Sequence, residues 1–252
     1  MTPLISLEDK VAVVTGASRG IGEAIARAFV ASGAKVVLAA RKLEGLVEVA
    51  RSLGPSAHPF AAHTGKEVEC AALLAEAIRV FGKADIVVNN AGTNPYFGPL
   101  IDAPEAAWDK TFEVNVKGYF WTTRALVRHL ASRKAPGAVV NIASVNGLRG
   151  AGLQGVYGMS KAAVISMTRT LAIELGPAGV RVNAIAPGLI ETRLSSALVK
   201  EDASSQSWTG RTPLGRVGIP SEIAGAALYL ASEAASFTTG EVLVVDGGVT
   251  VA

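Results

Sequence analysis

Apolar residues recur along this chain in two alternating rhythms. Short runs rich in Val, Ile and Ala read as seven strands: KVAVVT (10–15), KVVLAA (35–40), AHPFAA (57–62), ADIVVN (84–89), GAVVNIAS (137–144), VRVNAIA (180–186) and EVLVVD (241–246). Between them the period lengthens to that of a helix. IGEAIARAFVAS (21–32), the segment after Arg41 and KEVECAALLAEAIRVFG (66–82) show this spacing, as do longer stretches around 104–133 and 155–176 and another at 220–231. Gly33 and Gly82 stand where two of these helices should stop. Strands alternating with helices predict a parallel sheet covered on both faces, a doubly wound α/β fold. No linker, repeat or low-complexity segment divides the chain, so 1–252 reads as a single domain. The least regular stretch is 188–219. A mixed segment of that length in a compact domain is expected to be functional, here as a mobile substrate lid.

Composition narrows the class. The 252 residues suit one large α/β domain, and the 50% hydrophobic content is mostly aliphatic, with only 6% aromatic residues. The formal net charge is +3, and Lys and Arg are scattered, which argues against a nucleic-acid or membrane surface. The one cysteine, Cys70, has no partner for an internal disulfide and fits a reducing compartment. The first ten residues, MTPLISLEDK, include Glu8 and Asp9 and do not read as a signal peptide. No run approaches the ~18 apolar residues of a membrane helix. The expected setting is cytoplasmic, and no metal site is expected.

TGASRGIG (15–22) follows the first strand and opens the first helix. Glycines there permit a tight turn and let a pyrophosphate approach backbone N–H groups at the helix N-terminus. The same letters contain GASRG, a formal match to the nucleophile elbow of hydrolases. Only seventeen residues precede Ser18, too few for the element that should donate an oxyanion hole. The three histidines, His58, His63 and His129, all fall before the last third of the chain. A turn that merely packs is the remaining alternative.

TGASRGIG, NNAG (89–92), Asn115, Ser144, YGMSK (157–161) and PG (187–188) together resemble, in order and spacing, the short-chain dehydrogenase/reductase family over nearly the whole chain. The resemblance implies a sheet in strand order 3-2-1-4-5-6-7. It implies that Gly16, Ser18, Gly20, Ile21 and Gly22 meet the cofactor's pyrophosphate. Asn90, Ala91 and Gly92 would border the adenine-side ribose and brace the sheet. Pro187, Gly188, Ile190 and Thr192 would hold the nicotinamide amide and its phosphate.

An acid about twenty residues beyond the glycines normally binds the ribose 2′-hydroxyl of NAD. Ala40 stands there, followed by Arg41 and Lys42. A guanidinium can grip a 2′-phosphate that a carboxylate would repel. Arg41, with Arg19 in the glycine turn, therefore favours NADP(H). Family members commonly carry Asp-Val after the third strand to hold the adenine; this chain has His63 and Thr64 instead. His63 can bond an adenine edge or simply pack. HTGKE, TNPYFG and PGLIETRLS resemble the NADPH-dependent carbonyl and retinal reductase branch, although the chain ends TVA rather than in the peroxisomal tripeptide of animal members.

In YGMSK a phenol and an ammonium lie four residues apart, on one face of a helix. A free phenol has a pKa near 10, and a close cation favours its ionised form. On the family pattern Tyr157 is the general acid or base, Lys161 lowers its pKa and binds the nicotinamide ribose, and Ser144 orients the substrate oxygen. Asn115 would hold a proton-relaying water; read alone, it would be a helix kink or cap.

The expected substrate is a medium-sized hydrophobic ketone, aldehyde or keto ester, met by Ser144, Asn146, Gln154, Tyr96 and Leu194, with Leu198 and Trp208 in the lid. The rivals are a 3-oxoacyl-carrier-protein reductase and an alcohol or polyol dehydrogenase working oxidatively. The carrier-protein reading asks for a basic pair, of which Arg128 is present and Ile173 is not basic. A non-catalytic NADP-binding sensor is a further alternative, weakened because Tyr157 and Lys161 are both kept. The resemblance also implies a homotetramer, formed through the helices at 104–133 and 155–176 and through the last strand at the sheet edge.

Overall fold

The computed structural model describes residues 5–195 and 208–252. Seven strands form one parallel sheet in the order β3-β2-β1-β4-β5-β6-β7. They are β1 (Val11–Thr15), β2 (Lys35–Ala40), β3 (Ala57–Ala61), β4 (Ile86–Asn89), β5 (Gly137–Ile142), β6 (Val180–Pro187) and β7 (Val242–Val245). All seven expected strands are present, with ends displaced by at most two residues.

The helices are α1 (Gly20–Ala31), α2 (Glu44–Leu53), α3 (Glu67–Phe81), α4 (Glu105–Phe112), α5 (Gly118–Arg133), α6 (Gly155–Leu175) and α7 (Pro220–Ala231). α3 ends at Gly82, whose φ of 80° is a left-handed conformation that glycine adopts without steric cost. The expected single helix over 104–133 is instead two. A π-helical turn at Glu113–Lys117 separates α4 from α5, and Asn115 sits in its middle. Extra residues in one turn are a known device for re-aiming a side chain at a functional site.

Alternation along the strands divides the core into two faces. Val13, Val37, Val87, Val139 and Val182 point to the α3–α5 side, where they meet Leu73, Leu126 and Leu130. Ala12, Val14, Val36, Leu38 and Val140 point the other way, onto Ile25 and Phe29 of α1 and Ile223, Ala227 and Leu230 of α7. A parallel sheet covered on both faces cannot leave its strands half polar, which is why the runs are nearly continuous in sequence. Together they send every strand's carboxyl end to one pole. Beyond β6, Glu191 donates its N–H to Gly218, so 188–195 and 215–219 lie side by side. Residues 196–207, with Leu198 of the expected lid, lie outside the described residues.

At the opposite pole Asp85 ties three elements together. Its carboxylate accepts from the Val11 N–H at 3.0 Å, from Lys83 at 3.1 Å and from Arg133 at 3.1 Å. Burial opposes its ionisation, but these bonds outweigh burial and hold the carboxyl below its usual range. A depressed folded pKa contributes stability that is fully present above the unfolded value near 3.9 and is lost as the pH falls through the lowered folded value. Asp85→Asn should therefore cost about 1–3 kcal/mol in denaturant unfolding at neutral pH. The gap from the parent should narrow as the pH falls below about 4, where the unfolded chain takes up the proton first, and close as it passes the lowered folded value.

Candidate active site

β1 passes directly into the glycine turn. The Ala17 N–H reaches the Ala39 carbonyl at 3.1 Å, pinning the turn beside the end of β2. No side chain caps the first turn of α1, so its leading N–H groups remain available to an anion. A Cβ on Gly22 would lie 2.4 Å from the Gly16 oxygen and 2.5 Å from Asn90 Nδ2, and Gly16 itself has φ of 67°. Glycine at these positions lets the turn close on the NNAG segment. Thr192, expected to contact the cofactor, lies across the same cleft: a Cβ on Gly20 would be 3.4 Å from its methyl.

The loop after β4 is fixed from β1. Thr15 Oγ1 accepts the N–H groups of Asn90 (2.9 Å) and Ala91 (3.0 Å), and Asn90 Nδ2 donates to the Thr15 carbonyl at 2.9 Å. Thr15 belongs to the glycine motif, but local sequence carries no signal that its hydroxyl serves a loop so distant in the chain. Deeper in the sheet, Asn89 donates to Asn141, and Asn141 to Thr168.

Arg19 and Arg41 are both exposed, and neither has an acidic partner within ion-pair distance among the described residues. The start of α2 packs on the glycine turn: a Cβ on Gly45 would be 3.3 Å from Ser18 Cβ. The two guanidinium-bearing segments thus flank one corner of the cleft. His63 is more constrained than an open adenine contact. Its Nδ1 accepts from the Gly65 N–H at 3.1 Å, and its Nε2 lies 3.0 Å from Lys110 Nζ. The neighbouring Thr64 is buried.

α6 carries Tyr157 and Lys161 on one face, as their spacing requires. The short turn Val145–Gly147 lies against that face, and a Cβ on Gly147 would strike the Lys161 carbonyl carbon at 2.7 Å. This close approach brings Ser144, at the end of β5, to the phenol. Ser144 Oγ also accepts from the Asn146 N–H at 3.1 Å. Burial pushes the Tyr157 phenol up to about 12, and a hydrogen bond with Ser144 opposes that rise. Burial also takes Lys161 down to about 7.

This differs from the expectation that the ammonium would depress the phenol. The amine lies 5.7 Å from the Tyr157 ring centre and spends its bonds elsewhere, on the Ile142 carbonyl at 2.7 Å and on Tyr119 Oη at 3.2 Å. In the protein alone desolvation dominates both groups, and each is pushed toward its neutral form.

Asn115 is fully buried. It accepts from the Thr93 N–H at 2.8 Å and donates to the Thr93 carbonyl and Ser160 Oγ, each at 3.0 Å. Both amide hydrogens are therefore committed to holding the loop after β4 against α6. The irregularity around Asn115 is the π-helical turn Glu113–Lys117 between α4 and α5.

The expected substrate residues surround this centre unevenly. Gln154 stands at the N-cap position of α6 without a side-chain capping bond, and its amide oxygen accepts from Asn94 at 3.1 Å. Tyr96 turns its phenol back onto the Pro99 carbonyl at 2.9 Å, so its hydroxyl serves its own loop and only the ring is left for a ligand. Leu194 is 56% exposed, as are comparable fractions of Phe97, Leu148, Leu153 and Leu214. Trp208 is covered by Arg149, whose guanidinium carbon is 5.6 Å from its ring centre. No group of three or more His, Cys, Asp or Glu side chains suited to a metal occurs among the described residues.

The arrangement has a glycine-lined anion cradle, a phenol, an amine and a hydroxyl at the carboxyl ends of parallel strands. That is the equipment of a nicotinamide-dependent oxidoreductase. A family model described as Enoyl-(Acyl carrier protein) reductase matches residues 16–250. The chain belongs to the short-chain dehydrogenase/reductase family, and it is an oxidoreductase of that family.

It is 40% identical over 245 residues to dehydrogenase/reductase SDR family member 4 of Bos taurus, covering 96% of this chain and 88% of that protein. It is also 40% identical over 247 residues to galactitol 2-dehydrogenase (L-tagatose-forming) of Cereibacter sphaeroides, covering 97% and 96%. Among solved structures it is similar to a gluconate 5-dehydrogenase from Burkholderia cenocepacia J2315 in complex with NADP and tartrate, with a TM-score of 0.94, 34% identity and coverage of 99% and 98%. A 3-ketoacyl-(acyl-carrier-protein) reductase from Brucella melitensis complexed with NADH gives a TM-score of 0.90, 37% identity and coverage of 97% and 100%. A nicotinamide dinucleotide is the cofactor class these neighbours bind. No helix among the described residues is long and apolar enough to cross a membrane.

The glycine cradle yields a direct test. In Gly22→Ala the new methyl must displace the Gly16 carbonyl or the Asn90 amide. Dinucleotide affinity measured by calorimetry should fall about tenfold or more, the equivalent of roughly 1.4 kcal/mol.

Proposed function

We propose that this protein is an NADP(H)-dependent reductase of medium-sized hydrophobic ketones, aldehydes or keto esters, with Tyr157 as general acid. The observation that carries the reading is the meeting of Tyr157, Ser144 and Lys161 on one side of a cleft whose other side is the glycine turn. Gly16, Ser18, Gly20, Ile21 and Gly22 take the pyrophosphate on their backbone. Arg19 and Arg41 take the 2′-phosphate. Asn90, Ala91 and Gly92 line the adenosine ribose, with His63 and Thr64 beside the adenine. Pro187, Gly188, Ile190 and Thr192 hold the carboxamide end. A reduced nicotinamide bound there supplies hydride to the carbonyl carbon.

Ser144 orients the carbonyl oxygen, and Tyr157 gives its proton to that oxygen as the alcohol forms. Burial alone pushes the phenol up to about 12, so it needs a nearby positive charge to become an effective acid near neutral pH. When Lys161 carries its proton, its charge favours the phenolate that remains. Asn115 keeps the Thr93 loop and α6 in register around this pair. Asn146, Gln154, the Tyr96 ring and Leu194 form the substrate wall, and the half-exposed apolar rim favours a hydrophobic ligand.

A second reading has its own support. The chain is as similar to a galactitol 2-dehydrogenase as to the reductase relative, so oxidation of a polyol is the alternative. The carrier-protein rival has a solved neighbour too, but Ile173, 79% exposed, stands where a basic residue would meet the acidic carrier. The buried, unpaired thiol of Cys70 suits the cytoplasm.

The decisive experiment follows cofactor oxidation by the parent and by Tyr157→Phe, with NADPH and NADH side by side. The panel holds aromatic ketones, α-diketones, keto esters, a retinoid aldehyde and an acetoacetyl thioester. The parent should prefer NADPH and the apolar ketones, and Tyr157→Phe should lose turnover by at least a thousandfold while still binding NADPH. NADH preference would refute the Arg19 and Arg41 assignment, and best activity on polyols with oxidised cofactor would favour the second reading. We also propose a homotetramer, because β7 is an open sheet edge and α5 exposes Phe120. Light scattering at micromolar concentration should give about four times the 25.8 kDa chain mass, and a monomer would contradict it.

A further inference from the structure

We propose that Tyr119 is a positioning residue for Lys161, holding the amine from its buried side and setting the pH at which that amine gives up its proton. The inference rests on the assignment of Tyr157 and Lys161 as the reactive pair. It adds a second phenol that none of the expected roles includes.

Tyr119 lies in the first turn of α5, four residues after Asn115, and is 1% exposed. Its hydroxyl donates to the Ile142 carbonyl at 3.1 Å and accepts from Lys161 Nζ at 3.2 Å. Lys161 Nζ donates to the same Ile142 carbonyl at 2.7 Å. Carbonyl, phenol and amine thus close a three-membered ring of hydrogen bonds. An ammonium has three donors, and this ring takes two. The third is left for the cleft side, where a Cβ on Gly92 would lie 3.8 Å from Nζ. The amine is held between two phenols, 5.1 Å from the Tyr119 ring centre and 5.7 Å from that of Tyr157.

The surroundings leave little else to decide the charge of Lys161. α6 presents Tyr157, and β5 presents the Ile142 carbonyl. The loop after β4 presents Gly92 backbone, and the π-helical turn presents the neutral amide of Asn115. No carboxylate lies within ion-pair distance of Nζ among the described residues. A buried ammonium without a counter-ion depends on neutral acceptors, and losing one destabilises the charged form. Tyr119 is suited to that work. Its own proton is spent on Ile142, which turns its lone pairs toward the amine, and burial holds its phenol well above the usual value, so it stays a neutral acceptor. A phenylalanine would keep the ring and its packing but offer no oxygen.

The test compares the parent with Tyr119→Phe in two ways. The first needs no cofactor or substrate: the Lys161 ε-carbon is followed by NMR through a pH titration of 13C-lysine-labelled protein, with Lys161→Met supplying the assignment. The midpoint should fall by about one pH unit in Tyr119→Phe. The second is kcat/KM for carbonyl reduction against pH, whose alkaline limb should move down by a similar amount, since this ratio reports the free enzyme. A midpoint and a limb that coincide with the parent's would overturn the proposal. So would a uniform loss of kcat and melting temperature with no movement of either, because that is what a purely structural tyrosine predicts.

Should Tyr119→Phe fail to fold, 3-fluorotyrosine at position 119 is nearly isosteric and a weaker acceptor; it should shift the midpoint in the same direction by less, and no shift would count against the proposal. Activity surviving in Tyr157→Phe would remove the underlying assignment, whereas the cofactor-free titration reports on Tyr119 and Lys161 regardless.

Discussion

One hydroxyl holds the functional pole together. Thr15 ends β1, and its Oγ1 accepts two consecutive N–H groups from the loop that leaves β4, while donating to the Val88 carbonyl. β1 and β4 are neighbours in the sheet but far apart in the chain, and between them the strand order reverses. At such a reversal the connecting helices leave on opposite faces and a crevice opens beyond the strand ends. Without a polar group supplied by β1, the Asn90 and Ala91 N–H groups would be left unpaired inside it. With it, the loop is drawn onto the glycine turn closely enough that only glycine fits at Gly22.

The same logic runs along the sheet. Asn89, Asn141 and Thr168 form a buried chain of side-chain hydrogen bonds, and Asn115 clamps Thr93 to Ser160. These polar groups sit where an apolar residue would pack more simply. They fix the relative height of β4, β5 and α6, which sets where Ser144, Tyr157 and Lys161 stand. These three side chains are therefore placed by backbone and neutral side chains rather than by ion pairs. In a dry crevice that arrangement leaves each pKa responsive to a bound charge.

The electrostatics of the protein alone invert the simplest view of its phenol–amine pair. Proximity in sequence suggests that Lys161 would hold Tyr157 ionised. Burial instead raises the phenol to about 12 and lowers the amine to about 7, and the amine faces Ile142 and Tyr119. Four residues on a helix fix a shared face, not a hydrogen bond. The direction in which a long flexible side chain settles depends on which acceptors the rest of the fold leaves within reach.

Much of the architecture was legible in the chain itself, because a parallel sheet buried on both faces demands near-continuous apolar runs and glycines at its turns. The seven strands, the glycine turn, and the placing of Tyr157 and Lys161 on one helix followed from local pattern and spacing, whereas the strand order came only from the family resemblance. What the sequence could not decide was anything that depends on contacts between distant segments. The break at 113–117, the service of Thr15 to a loop seventy-five residues away, the return of the Tyr96 phenol to Pro99 and the meeting of Tyr119 with Lys161 belong to this group. Periodicity records which face of an element is buried. It does not record which polar partner waits on that face, because that partner is chosen only when the whole sheet has closed around it.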